Sequence, residues 1–145
     1  MPWVGLPLVV AALAGCSVGV PEPSPDATAT PICSALMGDL PDRILDQSRR
    51  RATPGVYGAA WGKPAITVRC GVPKPPGLTP ASECLEVNGV GWYAEPASGG
   101  TIFTTIGRPA FVEVAVPTKY APEANALVDV AAAVSAHDPV QQPCR

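Results

Sequence analysis

The side chains that could carry out catalysis are few in this sequence of 145 residues. His137 is the sole histidine, so a Ser-His-Asp or Cys-His mechanism would need it beside a nucleophile that the fold supplies. Ser135 and Asp138 lie next to it in sequence, but adjacency alone does not form a triad. A histidine at a helix end is also stabilised by the carbonyl partial charges there. We therefore predict no catalytic residue, no cofactor and no metal.

Paired carboxylates are a second source of chemistry, because two of them can hydrolyse a glycosidic bond. The acidic candidates are Asp39, Asp42 and Asp46 in one stretch, and Glu83, Glu86, Glu95 and Glu113 scattered through predicted strands. Solvated surface charge explains both groups. A small cell-wall hydrolase or transferase is therefore the alternative, not the main hypothesis.

Five residues have the types that a sugar- or protein-binding surface uses: Trp61, Arg69, Trp92, Tyr93 and Arg108. Aromatic rings supply contact area, and guanidinium groups supply directed hydrogen bonds. We predict that these five residues form a binding surface. For Trp61 and Trp92 the small number of other aromatic side chains in the domain favours the alternative, that these two fill a small core.

The start of the chain indicates export. An apolar run from Trp3 to Leu13 is shorter than the roughly 20 residues that span a bilayer, and it is typical of a signal peptide. It ends in LAGC, which resembles the lipobox of bacterial lipoproteins, although no basic residue precedes the run. The resemblance implies that residues 1–15 are a signal peptide and that Cys16 carries a diacylglyceryl group. A signal peptide cleaved elsewhere, with Cys16 a free cysteine, is the alternative.

Setting Cys16 aside leaves an even number of cysteines for an exported chain, which predicts two disulfides. We predict Cys70–Cys84, because these two bracket a short loop rich in proline and glycine. The second predicted pair is Cys33–Cys144, which would join both ends of one domain. A metal site is the competing interpretation, but the sequence has no Cys-x-x-Cys or Cys/His cluster.

Residues 16–32 are predicted to be the lipidated cysteine and a tether. The segment is rich in Pro, Ser, Thr and Ala and poor in large apolar groups, and Pro21, Pro23 and Pro25 favour extended polyproline geometry. At about 3.1 Å per residue, the fifteen residues 17–31 could hold a domain up to roughly 45 Å from the membrane. The single folded domain is then residues 33–145.

Hydrophobic periodicity within the domain predicts both helices and strands. Alternating apolar residues predict strands in PAITVRCGV, CLEVNGVGWY, TIFTTIG and AFVEVAVP, with Asn88-Gly89 suited to a tight turn or bulge. The stretch ICSALMGDL fits a short helix, and PEANALVDVAAAVSAHD an amphipathic one. The predicted fold is α+β: an antiparallel meander sheet of about four strands with a short N-terminal and a longer C-terminal helix on one face.

Three stretches of the folded region carry a family resemblance: AAWGKPAITVRCGVPKP, CLEVNGVGWY, and FTTIGR followed by VEVAVP. They resemble an actinobacterial family of short lipoproteins classed as a domain of unknown function. The resemblance implies export, membrane attachment and paired cysteines. It assigns no activity to any residue.

The net charge of −2 and the lack of a basic stripe give no reason to expect nucleic acid. The short run Arg49-Arg50-Arg51 is predicted to be a solvated patch, with contact to anionic lipid headgroups as the alternative.

We expect a non-catalytic binding or accessory module, lipid-anchored through Cys16 at the extracytoplasmic face of the cell membrane. Its partner would be an envelope protein or cell-wall glycan. A small-ligand carrier for a membrane transporter is a further alternative and predicts an enclosed apolar pocket.

Overall fold

The computed structural model describes residues 1–2 and 16–145. Residues 3–15, on which most of the predicted signal peptide falls, lie outside the described residues. The elements in chain order are β1 Val18–Gly19, α1 Ala29–Gly38, β2 Arg43–Ile44, β3 Gln47–Arg50, β4 Ala52–Thr53, β5 Gly58–Trp61, β6 Ile66–Cys70, β7 Leu85–Val87, β8 Val90–Ala97, β9 Gly100–Thr105, β10 Val112–Pro117 and α2 Ala126–His137. This arrangement confirms the predicted α+β class.

The larger sheet is antiparallel and has eight strands in the order β2-β3-β5-β6-β10-β9-β8-β7, whereas about four were predicted. The predicted strands correspond to β6, β7, β8, β9 and β10. The strands β2, β3 and β5 have only two to four residues and no clear alternation, so their pattern did not indicate strands. Asn88 and Gly89 join β7 to β8 with φ angles of 48° and 80°, which suit a tight hairpin turn.

The hydrophobic core lies on one face of this sheet. On β10, Val112, Val114 and Val116 are buried and alternate with half-buried residues, as predicted. Because Val114 is the register partner of Val68, the buried side chains of β6 lie on the same face. The helices add buried side chains to the same cluster: Cys33 and Leu36 from α1, and Leu127, Val130, Ala131 and Val134 from α2. The apolar stripe predicted for α2 is therefore confirmed.

Residues 17–31 differ from the extended tether that their composition predicts. The strand β1 pairs in parallel with β4, and Val20 is only 2% exposed because its side chain lies against Gly58. Further along, Pro25 lies against Gly71 and leaves no room there for a side chain. The segment thus packs on the domain, since its prolines and Val20 contact small residues of the sheet region.

The first helix also begins earlier than predicted. It starts at Ala29, upstream of the predicted domain boundary at Cys33. The carboxylate of Asp26 accepts hydrogen bonds from the backbone N–H groups of Thr28 and Ala29, at 2.9 and 2.8 Å. Backbone donors at the start of a helix have no partner within the helix, so this carboxylate stabilises the start. The folded unit therefore includes most of the predicted tether.

Both predicted disulfide pairings are wrong, although all four cysteines are paired. The bonds are Cys33–Cys70 and Cys84–Cys144, with Cα–Cα distances of 5.4 and 5.7 Å. Three strands separate β6 from β7, so Cys70 and Cys84 are held about 19 Å apart at roughly 4.8 Å per strand. A disulfide needs Cα atoms within about 7 Å, so these two cannot bond. Helix α1 instead contacts β6, which brings Cys33 to Cys70.

Candidate functional site

Trp61 and Trp92 do not form a binding surface, because both are fully buried in the core. The indole N–H of Trp61 donates to the carbonyl of Pro41 at 3.0 Å, and the guanidinium of Arg49 lies 5.4 Å from the ring centroid. This corrects the prediction for the two tryptophans: a small domain needs large apolar side chains to fill its core, and these two supply them.

Arg69 is also occupied within the fold. Its guanidinium donates two hydrogen bonds to the carboxylate of Glu113, both at 2.9 Å, from the neighbouring strand β10. It donates a third to the carbonyl of Pro21 at 3.2 Å, which ties the N-terminal segment to the sheet. A bidentate arginine–carboxylate pair has few donors left for a partner. Arg69 is therefore a structural residue.

Arg108 differs from Arg69, because it is buried without a carboxylate bonded to it. It is 8% exposed and lies in the loop between β9 and β10. Its two terminal nitrogens donate to backbone carbonyls, one to Asp138 and the other to Gly89 at 3.2 Å. The buried Nε has no hydrogen-bond partner. Leaving such a donor unpaired is costly, so the position is unusual for a purely structural arginine.

Asp138, which follows α2, is the buried acid nearest to this arginine. Its Oδ1 accepts a hydrogen bond from the backbone N–H of Ala110 at 3.1 Å, while its buried Oδ2 has no partner. Burial raises the pKa of Asp138 to about 6, although the Ala110 hydrogen bond and the charge of Arg108 act in the opposite direction. Burial also lowers the pKa of Arg108. The site therefore holds a carboxyl group that changes charge near neutral pH.

A third buried group without a hydrogen-bond partner lies at the end of the sheet where Arg108 and Asp138 are found. The indole N–H of Trp92 is buried without a partner, and Trp92 is the register partner of Thr105. The hydroxyl of Thr105 donates to the carbonyl of Ala110 at 3.3 Å, and Ala110 in turn bonds Asp138. Three of the four buried side-chain atoms without partners among the described residues thus lie in one connected region.

A solvent-accessible groove borders this region. One cleft of about 370 Å³ is lined by Lys74, Arg108 and Gln141 among others. It shares Leu78 and Gln142 with a second cleft of about 360 Å³. The second cleft shares Cys84 and Arg145 with a third cleft of about 620 Å³, which Tyr93 also lines. We call this series the C-terminal groove; its walls are loop 74–85, loop 106–111 and the tail 141–145.

The groove contains only part of the predicted set. Tyr93 and Arg108 line its two ends, and the buried Trp92 lies in the wall beside Tyr93. Trp61 and Arg69 lie elsewhere in the fold. No local pattern links Asp138 to Arg108, because one lies at a helix end and the other in a hairpin loop about thirty residues away. Their proximity could therefore not be predicted from the sequence. The isolated polar residues Lys74 and Gln142 carried no signal either.

His137 forms an ion-pair contact with Asp39, with Nε2 and Oδ2 3.0 Å apart. The contact joins the end of α2 to the residue after α1 on an exposed surface. Among the described residues, the side chain that bonds His137 is that of Asp39, and no hydroxyl or thiol does so. Within residues 1–2 and 16–145, no three His, Cys, Asp or Glu side chains lie together as a metal site would require.

The small-ligand carrier hypothesis predicts an enclosed apolar pocket between the sheet and the helices. No residue of α2 lines the clefts of the C-terminal groove or the cleft of about 450 Å³ beside Ala29 and Gly71. In the part of the chain that the structure describes, no helix is both long and apolar enough to cross a membrane. The buried polar atoms without partners beside the C-terminal groove make that groove the main candidate binding site.

These features define a disulfide-bonded α+β domain with one polar, partly unsatisfied groove. A family model described as "Protein of unknown function (DUF3515)" matches residues 8–143. The chain belongs to this family, which confirms the resemblance to a domain of unknown function. Comparison with curated proteins and with solved structures gives no significant match.

Proposed function

We propose that the protein is an extracytoplasmic lipoprotein, anchored to the cell membrane by lipid on Cys16. We further propose that its domain is a non-catalytic binding or accessory module of the cell envelope, as in the actinobacterial lipoproteins that it resembles. The signal peptide of residues 1–15 would be removed when the lipid is attached. The partner would be an envelope protein or a cell-wall glycan.

The division of the five cysteines carries this proposal. Four of them form two disulfides, which persist in oxidising compartments outside the cytoplasm. The fifth, Cys16, is free and exposed directly before the folded segment. Two acyl chains on one residue would give stable membrane attachment, where one chain gives only marginal attachment. An anchoring role accounts for a cysteine that takes no part in the fold.

Metabolic labelling tests the anchor. The full chain is expressed in a bacterial host fed an alkyne fatty acid, and its label and intact mass are measured. We expect a labelled protein whose N-terminus is a modified Cys16, with no label in Cys16→Ala. Ser17→Ala, a matched change at the next exposed residue, should keep the label. A Cys16 of unmodified mass, or label that persists in Cys16→Ala, would overturn the proposal.

The C-terminal groove is the surface that we assign to the partner. Its lining contains three cations, Lys74, Arg108 and Arg145, and one acid, Glu83. The cations outnumber the acids even when Asp138 beside Arg108 is counted, so the charge of the groove favours a partner with acidic groups. Gln141 and Gln142 add amide groups that can both donate and accept hydrogen bonds. A groove with loop walls and several polar groups suits an extended peptide or glycan.

Photo-crosslinking in intact cells tests this assignment. A photoreactive amino acid replaces Gln142 in the groove, and in a control chain it replaces Val128, which is 50% exposed on α2. We expect a defined adduct from position 142 that is absent from position 128. The adduct should weaken when Lys74→Glu reverses one groove charge. Equal adducts at both positions, or none at position 142, would contradict the groove as the binding surface.

A further inference from the structure

The edge of the larger sheet beside Cys16 is strongly basic. We call it the arginine edge; it consists of Arg43, Arg49, Arg50, Arg51, Lys63 and Lys119. All six are exposed except Arg50, which is half-buried. The residues are brought together by contacts between their segments: Arg50 donates to the carbonyl of Gly62 at 2.9 Å, and Lys119 to that of Lys63 at 3.0 Å.

None of these six cations is neutralised by a carboxylate. Among the described residues, the groups that form ion pairs are Arg69 with Glu113 and His137 with Asp39. The hydrogen bonds of the arginine edge go to backbone carbonyls, which leave the positive charge in place. Asp42 and Asp46 are the acidic residues of the same hairpin, and both are exposed. The carboxylate of Asp129 also lies against this hairpin, since its Oδ2 accepts a hydrogen bond from the backbone N–H of Leu45 at 2.9 Å. The edge thus keeps an excess of three positive charges, six cations against three acids.

The fold places this charge next to the anchoring position. The backbone N–H of Val18 donates to the carbonyl of Arg51 at 2.8 Å, and β1 runs parallel to β4 from there. Cys16 is two residues before Val18, which is at most about 7 Å of extended chain. The segment that was predicted to be a tether therefore cannot hold the domain at a distance. Any membrane attached at Cys16 lies within reach of Arg51.

We propose that the arginine edge binds the anionic headgroups of the membrane to which Cys16 is anchored. This inference rests on the proposed anchor and extends it, because it fixes how the domain lies on the bilayer. Cations near an anionic leaflet are each stabilised, and the effect falls off within about 10 Å at 0.1 M salt. The short distance from Cys16 to Arg51 satisfies that limit.

The orientation has a consequence for the C-terminal groove. The strands β3 and β7 are six strand spacings apart in the sheet, roughly 29 Å at about 4.8 Å per spacing. The third cleft of the groove lies at β7 and β8. With the arginine edge on the membrane, that part of the groove is held away from the bilayer and faces the envelope.

Fluorescence quenching in vesicles tests the inference with the full chain. A fluorescent amino acid replaces Ser48, exposed on β3, or Glu86, exposed on β7 at the opposite edge as a control. The protein is reconstituted into phosphatidylcholine vesicles with or without phosphatidylglycerol, both containing a headgroup spin-labelled lipid as quencher. We expect stronger quenching at position 48 in anionic vesicles, reversed by high salt, and little change at position 86.

Matched charge variants complete the test. Arg51→Gln with Lys63→Gln removes two exposed side chains that make no side-chain hydrogen bond, and Lys74→Gln with Arg145→Gln makes the same charge change elsewhere. At about 1 kcal/mol per cation, the first pair should lower the docked-to-undocked ratio about 30-fold, and the second should not. Quenching that is independent of anionic lipid, or an equal loss from both pairs, overturns the inference. The mass of Cys16 is read separately, so failure of the anchor is distinguishable.

Discussion

Arg69 and Arg108 show two ways in which this domain buries an arginine. Arg69 lies on β6 with its guanidinium paired to Glu113 through two hydrogen bonds of 2.9 Å. Arg108 is more buried, bonds only backbone carbonyls and keeps its Nε without a partner. The first arrangement satisfies its charge within the fold. The second arrangement leaves the Nε–H donor of Arg108 without an acceptor, beside the C-terminal groove.

The difference between the two arginines shows where the fold contains buried polar atoms that cost free energy. A buried polar atom without a partner costs about 1 to 3 kcal/mol, so native proteins keep few of them. Here three such atoms, on Trp92, Arg108 and Asp138, are connected through one end of the sheet. Sites of this kind are often functional, because groups left unsatisfied by the fold are available to a ligand. These unsatisfied atoms are the physical reason to place the binding site at the C-terminal groove.

The largest expected effect comes from removing Asp138. Asp138→Ala takes away the acceptor of the Ala110 N–H and leaves the buried charge of Arg108 without its nearest acid. We expect a loss of about 3 kcal/mol in the free energy of unfolding, measured with denaturant and intact disulfides. Glu113→Ala, the matched change at the more exposed pair, should cost about 1 kcal/mol. Similar losses from both would remove the distinction between the two arginines.

The pH dependence of stability should be smaller and has a definite sign. The pKa of Asp138 is about 6 in the folded protein, above its ordinary value of 3.8. The folded state therefore binds a proton more tightly than the unfolded state, so this contribution is full below about pH 4 and is lost as the pH rises through 6. We expect the wild type to lose about 2 to 3 kcal/mol relative to Asp138→Asn between pH 4 and 7. Parallel pH profiles for the two proteins would contradict the raised pKa.

The two tryptophans give the smallest and finest test. Trp61→Phe leaves the carbonyl of Pro41 without its donor, whereas Trp92→Phe removes an N–H that has no partner. Both substitutions lose similar apolar area, and Phe keeps an aromatic ring beside Arg49, so the difference between them reports mainly the hydrogen bond. We expect Trp61→Phe to be the more destabilising by about 1 kcal/mol in thermal or denaturant unfolding. The reverse order would mean that Trp92 is bonded in solution.

Local pattern was enough to predict the long elements. Ile66, Val68 and Cys70 alternate along β6, and Leu127, Val130 and Val134 lie on one side of α2, because each element buries one face. The short strands were not predicted, because backbone pairing with a neighbouring strand defines them and their side chains show no hydrophobic alternation. For example, β3 has no fully buried residue, and its pairing with β5 makes it a strand.

Nonlocal geometry explains the remaining errors. The pairing of Cys70 depends on α1 lying over β6, which no spacing of cysteines reveals. Composition predicted an unfolded segment at residues 17–31, but Pro25 packs against Gly71 because glycine leaves space for it. The candidate site could be predicted only in part, for the same reason. Arg108 was singled out by its residue type, but its hydrogen bond to the carbonyl of Asp138 forms only in the folded chain.

The pairing of the cysteines has a consequence for how the protein is made. Cys33 bonds Cys70, and Cys84 bonds Cys144, so among the four paired cysteines the first joins the second and the third joins the fourth. In a chain that enters an oxidising compartment with its N-terminus first, the first bond can close before the third cysteine has emerged. With Cys16 occupied by lipid as proposed, an oxidase that links the remaining cysteines in their order of arrival would give the native set directly.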